Sequence, residues 1–136
     1  MPFKFEQLDV WKFSIEYVDL IYALAEKLPK SEDFNLKSQI IQAATSISLN
    51  IVEGSTGQSD AEQARFLGMA IRSLIETVAC QHIIRRRKYI SDVAVLDGVY
   101  LKSNELAKRL QSFRKSLVGN GRTVKEETAP YFVDEI

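Results

Sequence analysis

The sequence predicts an all-α fold, an antiparallel four-helix bundle, on three observations. Four segments carry apolar residues at steps of three and four, the spacing that places them on one helical face. The central two are joined by only Gly54 to Gln58, a connection short enough to fold them antiparallel. At 136 residues the chain suits one domain with one substantial core.

The first helix is expected from about Gln7 to Leu28, with Leu8, Trp11, Ile15, Val18, Ile21, Tyr22, Ala25 and Leu28 as its apolar stripe. Trp11 sits within that stripe and reads as core. Pro29 ends the helix, and Phe34 interrupts the polar connection that follows, where it is expected to plug the end of the core. Asn35 or Ser38 then caps a second helix from Leu36 to about Glu53, with Gly54 as its stop. Ile40, Ala44, Ile47 and Ile51 form its apolar face. Ala43, Ser46, Asn50 and Glu53 form a small, polar one, which allows close approach of a neighbour. Asn50 and Glu53 could bind a ligand there, but hydrogen bonding to the turn is the preferred reading.

Ser59-Asp60-Ala61-Glu62 is a capping box, in which Ser59 accepts from the Glu62 amide and the Glu62 carboxylate reaches back. It opens a third helix from Asp60 to about Arg87. That helix would be about 42 Å long, with Phe66, Leu67, Ala70, Ile71, Leu74, Ile75, Val78, Ile83 and Ile84 available to pack. Glu76 lies amid apolar neighbours, and a buried carboxylate needs a partner. Antiparallel counting from the turn near Tyr89 sets Lys102 beside it, so an ion pair is expected. The fourth helix is expected from about Asp92 to Val118, packed through Val95, Leu96, Val99, Leu106, Leu110, Phe113 and Leu117. Residues 1–118 thus form the bundle. Gly119-Asn120-Gly121 begins a tail, 119–136, that is polar until Tyr131-Phe132-Val133. Such ends are commonly mobile, unless the aromatic pair docks on its own bundle or on a neighbouring copy.

Hydrophobic residues make up 46% and charged residues 26%, a composition of folded, water-soluble domains rather than disordered chains. Cys80 has no second cysteine to pair with, so nothing demands an oxidising compartment. No apolar run approaches the roughly 20 residues of a membrane span, and the start lacks the layout of a signal peptide. A cytoplasmic protein without membrane association is expected. No cofactor or metal is expected either. A carboxylate-bridged metal bundle uses Glu-x-x-His on two helices, whereas position 79 is Ala79 and His82 is the single histidine. His82 reads as an exposed side chain and Cys80 as a gap filler.

Lys plus Arg and Asp plus Glu each total 18, yet the charges are unevenly placed. Residues 1–84 carry a net −4, residues 85–125 a net +8 and residues 126–136 a net −4. The +8 segment holds the candidate polyanion contacts: Arg85, Arg86, Arg87 and Lys88 at the end of the third helix, then Lys108, Arg109, Arg114 and Lys115 on the fourth. Cations at a helix C-terminus also complement its dipole, which accounts for one or two of the first four. The remainder would neutralise phosphates if left unpaired.

Several motifs occur in order: F-x-x-L-x-V-W-K from Phe5, P-x-x-x-x-F-x-L from Pro29, and S-I-x-x-N-I-x-E-G from Ser46. S-x-x-E at Ser59, F-L at Phe66, S-x-x-E at Ser73 and Y-I-S at Tyr89 follow. With these the chain resembles the bacterial four-helix-bundle proteins called S23 ribosomal proteins, associated with intervening sequences in 23S ribosomal RNA genes. The resemblance covers roughly residues 3–118. It implies up-down-up-down topology and a ring-shaped homo-oligomer, commonly a pentamer. It extends distantly to the accessory proteins of diversity-generating retroelements, which look like basic barrels that bind nucleic acid and a reverse transcriptase. Two departures stand out. Gly57 occupies the place of an arginine in the family's E-G-x-G-R-x-S turn, and Arg72 the place of a small residue. Loss of the turn arginine moves the expected RNA contact to the opposite end of the third helix.

The expected function is therefore a noncatalytic, oligomeric RNA-associated protein, linked to 23S ribosomal or other structured RNA and acting by charge and shape. A nucleic-acid enzyme is a further expected partner. The alternative is a protein-interaction scaffold whose cations pair between subunits. A nuclease of the HEPN type needs an arginine four to six residues before its histidine, and Arg72 is too far from His82.

Overall fold

A computed structural model of the chain describes residues 2–118. Four helices account for most of them: α1 (Asp9–Glu26), α2 (Leu36–Ser55), α3 (Asp60–Arg87) and α4 (Val93–Val118). Short 3₁₀ turns at Lys4–Gln7 and Lys30–Glu32 precede α1 and α2. Each helix packs against the next in sequence, and α4 closes back on α1. The result is an all-α, antiparallel up-down-up-down bundle. The expected tail at 119–136 lies outside the described residues.

The core follows the apolar periodicity on three helices and departs from it on α1. Ile40, Ala44, Ile47 and Ile51 are all buried, as are Leu67, Ala70, Ile71, Leu74 and Ile84 on α3. Burying each large aliphatic side chain contributes about 1.5–3 kcal/mol. On α1 the buried face is Phe13, Tyr17, Ile21, Leu24 and Ala25, whereas Ile15 and Tyr22 are exposed. Two apolar stripes of similar quality run along this helix, and the neighbours decide which one turns inward. Trp11 is half-buried and meets Phe5 edge-on at 4.9 Å. Phe34 is wholly exposed and plugs nothing, because the 3₁₀ turn at Lys30–Glu32 lifts it off the bundle end. Ile75 and Ile83 also face outward from α3.

The helix ends show how local chemistry sets boundaries. Gly54 does not stop α2, which continues to Ser55. A Cβ there would lie 3.1 Å from Phe66 Cβ and 3.3 Å from the Gln63 carbonyl oxygen, so this glycine permits close approach of α3. The small polar face serves the same contact: Ser73 Oγ donates to Ser46 Oγ at 3.0 Å. The start of α2 is capped from outside, with Leu36 N–H donating to Glu32 Oε1 at 3.3 Å, while Asn35 bonds Glu32 and Gln39. Ser59 caps α3 by accepting from Glu62 N–H at 3.1 Å. Asp92 caps α4, accepting from Ala94 N–H at 3.1 Å.

At its far end α3 closes with Lys88 in the left-handed region, at φ 58° and ψ 36°. The Lys88 amide bonds the Arg85 carbonyl and the Tyr89 amide bonds the Ile84 carbonyl, the paired closure of a Schellman motif.

One feature of the core has no apolar signature. Tyr17 OH lies 2.7 Å from both Thr77 Oγ1 and Ser103 Oγ, and Gln81 Nε2 donates to Tyr17 OH and Ser103 Oγ at 2.9 Å each. Thr77 and Ser103 also reach the Leu74 and Val99 carbonyls of their own helices. Three hydroxyl hydrogens can fill at most three of these four oxygen contacts at once, and Gln81 Oε1 has no partner among the described residues. This polar layer ties α1, α3 and α4 in one register. Burial, the largest influence, raises the Tyr17 pKa, so the phenol stays neutral.

Candidate nucleic-acid interface

The last turn of α3 presents the densest run of cations, and the structure divides it. Arg85 Nη2 pairs with Asp97 Oδ1 of α4 at 2.8 Å. Arg86 is exposed and has no ion-pair partner among the described residues. Arg87 lies 5.9 Å from the centroid of the Tyr89 ring. Its pKa is raised, first by hydrogen bonding to Tyr89. Lys88 is exposed, but its backbone is the helix terminator.

Tyr89 links this end to the connection before α2. Its hydroxyl donates to Glu32 Oε2 at 2.7 Å, and that bond is the main reason the Glu32 pKa lies below the ordinary glutamate value. Glu32 in turn holds the Asn35 side chain and the Leu36 amide. The basic end is therefore fastened to the α1–α2 connection, and Arg86, Arg87 and Lys88 project around a held helix terminus.

The α4 cations do not join this group. From Asp97, level with Arg85, to Lys108 is 11 residues, about 17 Å along the helix, and Lys115 is about 27 Å away. Lys108 and Lys115 are exposed. Arg109 stacks over Phe13 at 4.3 Å and lies 3.6 Å from Glu105. Arg114 is only 8% exposed, and its Nε donates to the Ala64 carbonyl at 3.0 Å. Gly68 makes this possible, since a Cβ there would sit 3.2 Å from the Arg114 guanidinium carbon. Arg114, expected as an RNA contact, instead fastens α4 to α3: the gap above Gly68 swallows its side chain.

The expected Glu76–Lys102 ion pair is not formed. Glu76 is exposed, so solvent supplies its partner. Lys102 Nζ rests over the Phe13 ring at 4.9 Å, and Phe13 thereby receives Lys102 and Arg109 together. Asn50 donates to the Ser46 carbonyl one turn back within α2 at 2.9 Å rather than to the turn that follows, while Glu53 is exposed. His82 meets Tyr100 edge-on at 6.1 Å. Cys80 is buried, which pushes its thiol pKa up.

Sequence reading missed Arg65 and Arg72 as members of a basic group. With Arg114 they line a recess of about 460 Å³ between α3 and α4. Their spacing of seven residues along one helix was the available signal.

These features define an all-α four-helix bundle with exposed cations at the end of α3. Among the described residues no group of three or more His, Cys, Asp or Glu could hold a metal, and no helix is long and apolar enough to cross a membrane. The chain belongs to the 23S rRNA-intervening sequence protein family, whose model matches residues 6–112. It is similar to a solved protein of unknown function from the S23 ribosomal protein family of Bacteroides thetaiotaomicron VPI-5482. The two share 29% identity and a TM-score of 0.71, over 78% of this chain and 98% of that one. No curated protein matches the chain.

Proposed function

We propose that this chain is a noncatalytic, cytoplasmic RNA-associated protein that works as a homo-oligomer, a pentamer, and holds structured RNA by charge and shape. The observation that carries this reading is the exposed Arg86-Arg87-Lys88 group on a helix end fastened through Tyr89 and Glu32. The held terminus fixes where these three side chains leave the backbone, and their attraction to phosphates does not depend on base sequence. The family description, a 23S rRNA-intervening sequence protein, makes 23S ribosomal RNA the first RNA to test.

A salt titration of binding to a labelled 23S fragment tests it. Three phosphate contacts correspond to a slope of log K against log salt of about −2 to −3. Replacing Arg86, Arg87 and Lys88 with neutral residues should remove most of that slope. Binding that survives high salt, or ignores those replacements, would sink the proposal.

A second reading, a protein-interaction scaffold, draws on outward-facing Ile75, Ile83, Tyr100 and Leu101. It gains if the assembled oligomer binds no RNA and its cations are neutralised at subunit contacts.

A further inference from the structure

Phe34 is the most exposed large apolar side chain among the described residues, at 100% against 73% for Phe3 and 66% for Leu101. Single exposed apolar residues are ordinary on a protein surface, but this one stands on a fixed backbone at the basic end of α3. Asp33 N–H donates to the Lys30 carbonyl at 3.0 Å, and Asn35 N–H to the Glu32 carbonyl at 3.1 Å. The Asn35 side chain donates to Glu32 Oε1 and accepts from Gln39, each at 3.0 Å. The turn on either side of Phe34 is held while its ring is left bare.

The same turn is tied to the cations. Glu32 Oε2 accepts from Tyr89 OH at 2.7 Å, and Tyr89 directly follows Arg86-Arg87-Lys88. Phe34 is two residues from Glu32, so their Cα atoms are at most about 7.6 Å apart. Lys30, exposed four residues before Phe34, adds a fourth cation to this pole. The carboxylates of the two connections here are engaged: Glu32 by Tyr89, Asp33 by Lys37 at 3.9 Å and Asp92 by the Ala94 amide. A polyanion reaching Phe34 thus meets more cations than anions.

We propose that Phe34 is a stacking platform for an unpaired RNA base, so that this pole holds a single-stranded loop or end with its flanking phosphates on Arg86, Arg87 and Lys88. This deepens the RNA reading above, on which it rests, by naming the element held. Cations by themselves attract the backbone of single and double strands alike. A bare aromatic face tells them apart: in an A-form helix the bases are already stacked on one another, whereas those of loops and ends lie open to aromatic side chains. Every base has such a face, so the platform tolerates any sequence. A ring on a held turn also needs no rearrangement of the backbone before a base meets it.

Binding of the full-length chain to two labelled probes tests it: a single-stranded oligoadenylate carrying one 2-aminopurine, and a blunt RNA duplex of the same length. Phe34 packs on none of the described residues, so its substitution leaves the fold intact. Phe34→Ala should weaken single-strand binding roughly tenfold or more and leave duplex binding unchanged. Its salt slope should match that of the wild type, since no charge is removed. At saturation, wild type and Phe34→Tyr should quench the 2-aminopurine fluorescence and Phe34→Ala should not. Undiminished single-strand binding by Phe34→Ala, an equal loss on both probes, or a changed oligomer mass by light scattering, which would make Phe34 a subunit contact, would each overturn the proposal. If neutralising Arg86, Arg87 and Lys88 abolishes binding while Phe34→Ala does nothing, the basic pole stands as the RNA site and the platform falls. Wild-type protein that binds neither probe at low salt overturns both.

Discussion

At the scale of single residues, Lys88 and Glu32 carry the clearest physical consequences. Lys88 holds a left-handed conformation that costs an L-residue roughly 1–2 kcal/mol and glycine almost nothing. Lys88→Gly should therefore raise stability by about 1 kcal/mol in chemical denaturation while removing one candidate phosphate contact. A variant that gains stability and binds RNA less well would separate charge from folding at this site. Glu32 titrates below the ordinary glutamate value because Tyr89 OH donates to its charged form. A depressed carboxylate pKa stabilises the fold above the unfolded-state pKa, and that contribution is lost as pH falls through the folded one. Tyr89→Phe should raise the Glu32 pKa toward its ordinary value, as read by carboxyl NMR titration. An unchanged titration would mean that the hydroxyl is not the cause.

At the scale of elements, two helical glycines act in opposite directions. Gly54 lets α2 approach α3, and a Cβ would meet Phe66 Cβ and the Gln63 backbone oxygen. Gly54→Ala should destabilise the bundle by about 1–3 kcal/mol through overpacking. Gly98, inside α4, has nothing within 4 Å of an added Cβ. Gly98→Ala should stabilise by about 0.8–1 kcal/mol, the difference in helix propensity. Thermal or denaturant unfolding of the two variants checks the contrast, and a shared sign would contradict the assigned packing. The polar layer of Tyr17, Thr77, Gln81 and Ser103 acts between elements as well. A one-residue rotation of α1 would break its contacts to two helices.

At the scale of the whole molecule, charge is organised by the antiparallel topology. The end of α3 and the end of α4 lie at opposite poles, so the net +8 segment of the sequence becomes separate basic regions. Neutralising Arg86 with Arg87 should weaken RNA binding more than neutralising Lys108 with Lys115, measured at equal salt. The reverse ranking would move the interface to the other pole, where Arg65 and Arg72 reside.

The number, order and extent of the helices were legible in the sequence because caps and apolar periodicity are local. Ser59, Asp92 and the 28-residue span of α3 needed no knowledge of neighbours. The densest cation run was legible too, as a string of four consecutive residues. Only tertiary structure decided which α1 stripe is buried, since Ile15 and Tyr17 compete for one inward direction. Packing also settled the fate of individual charges: Arg114 enters a gap above Gly68, Lys102 and Arg109 settle on Phe13, and Arg85 pairs with Asp97. Sequence by itself determined the bundle and the uneven placement of its charge. Tertiary structure decided which cations remain exposed, because burial and pairing depend on groups brought near from other helices.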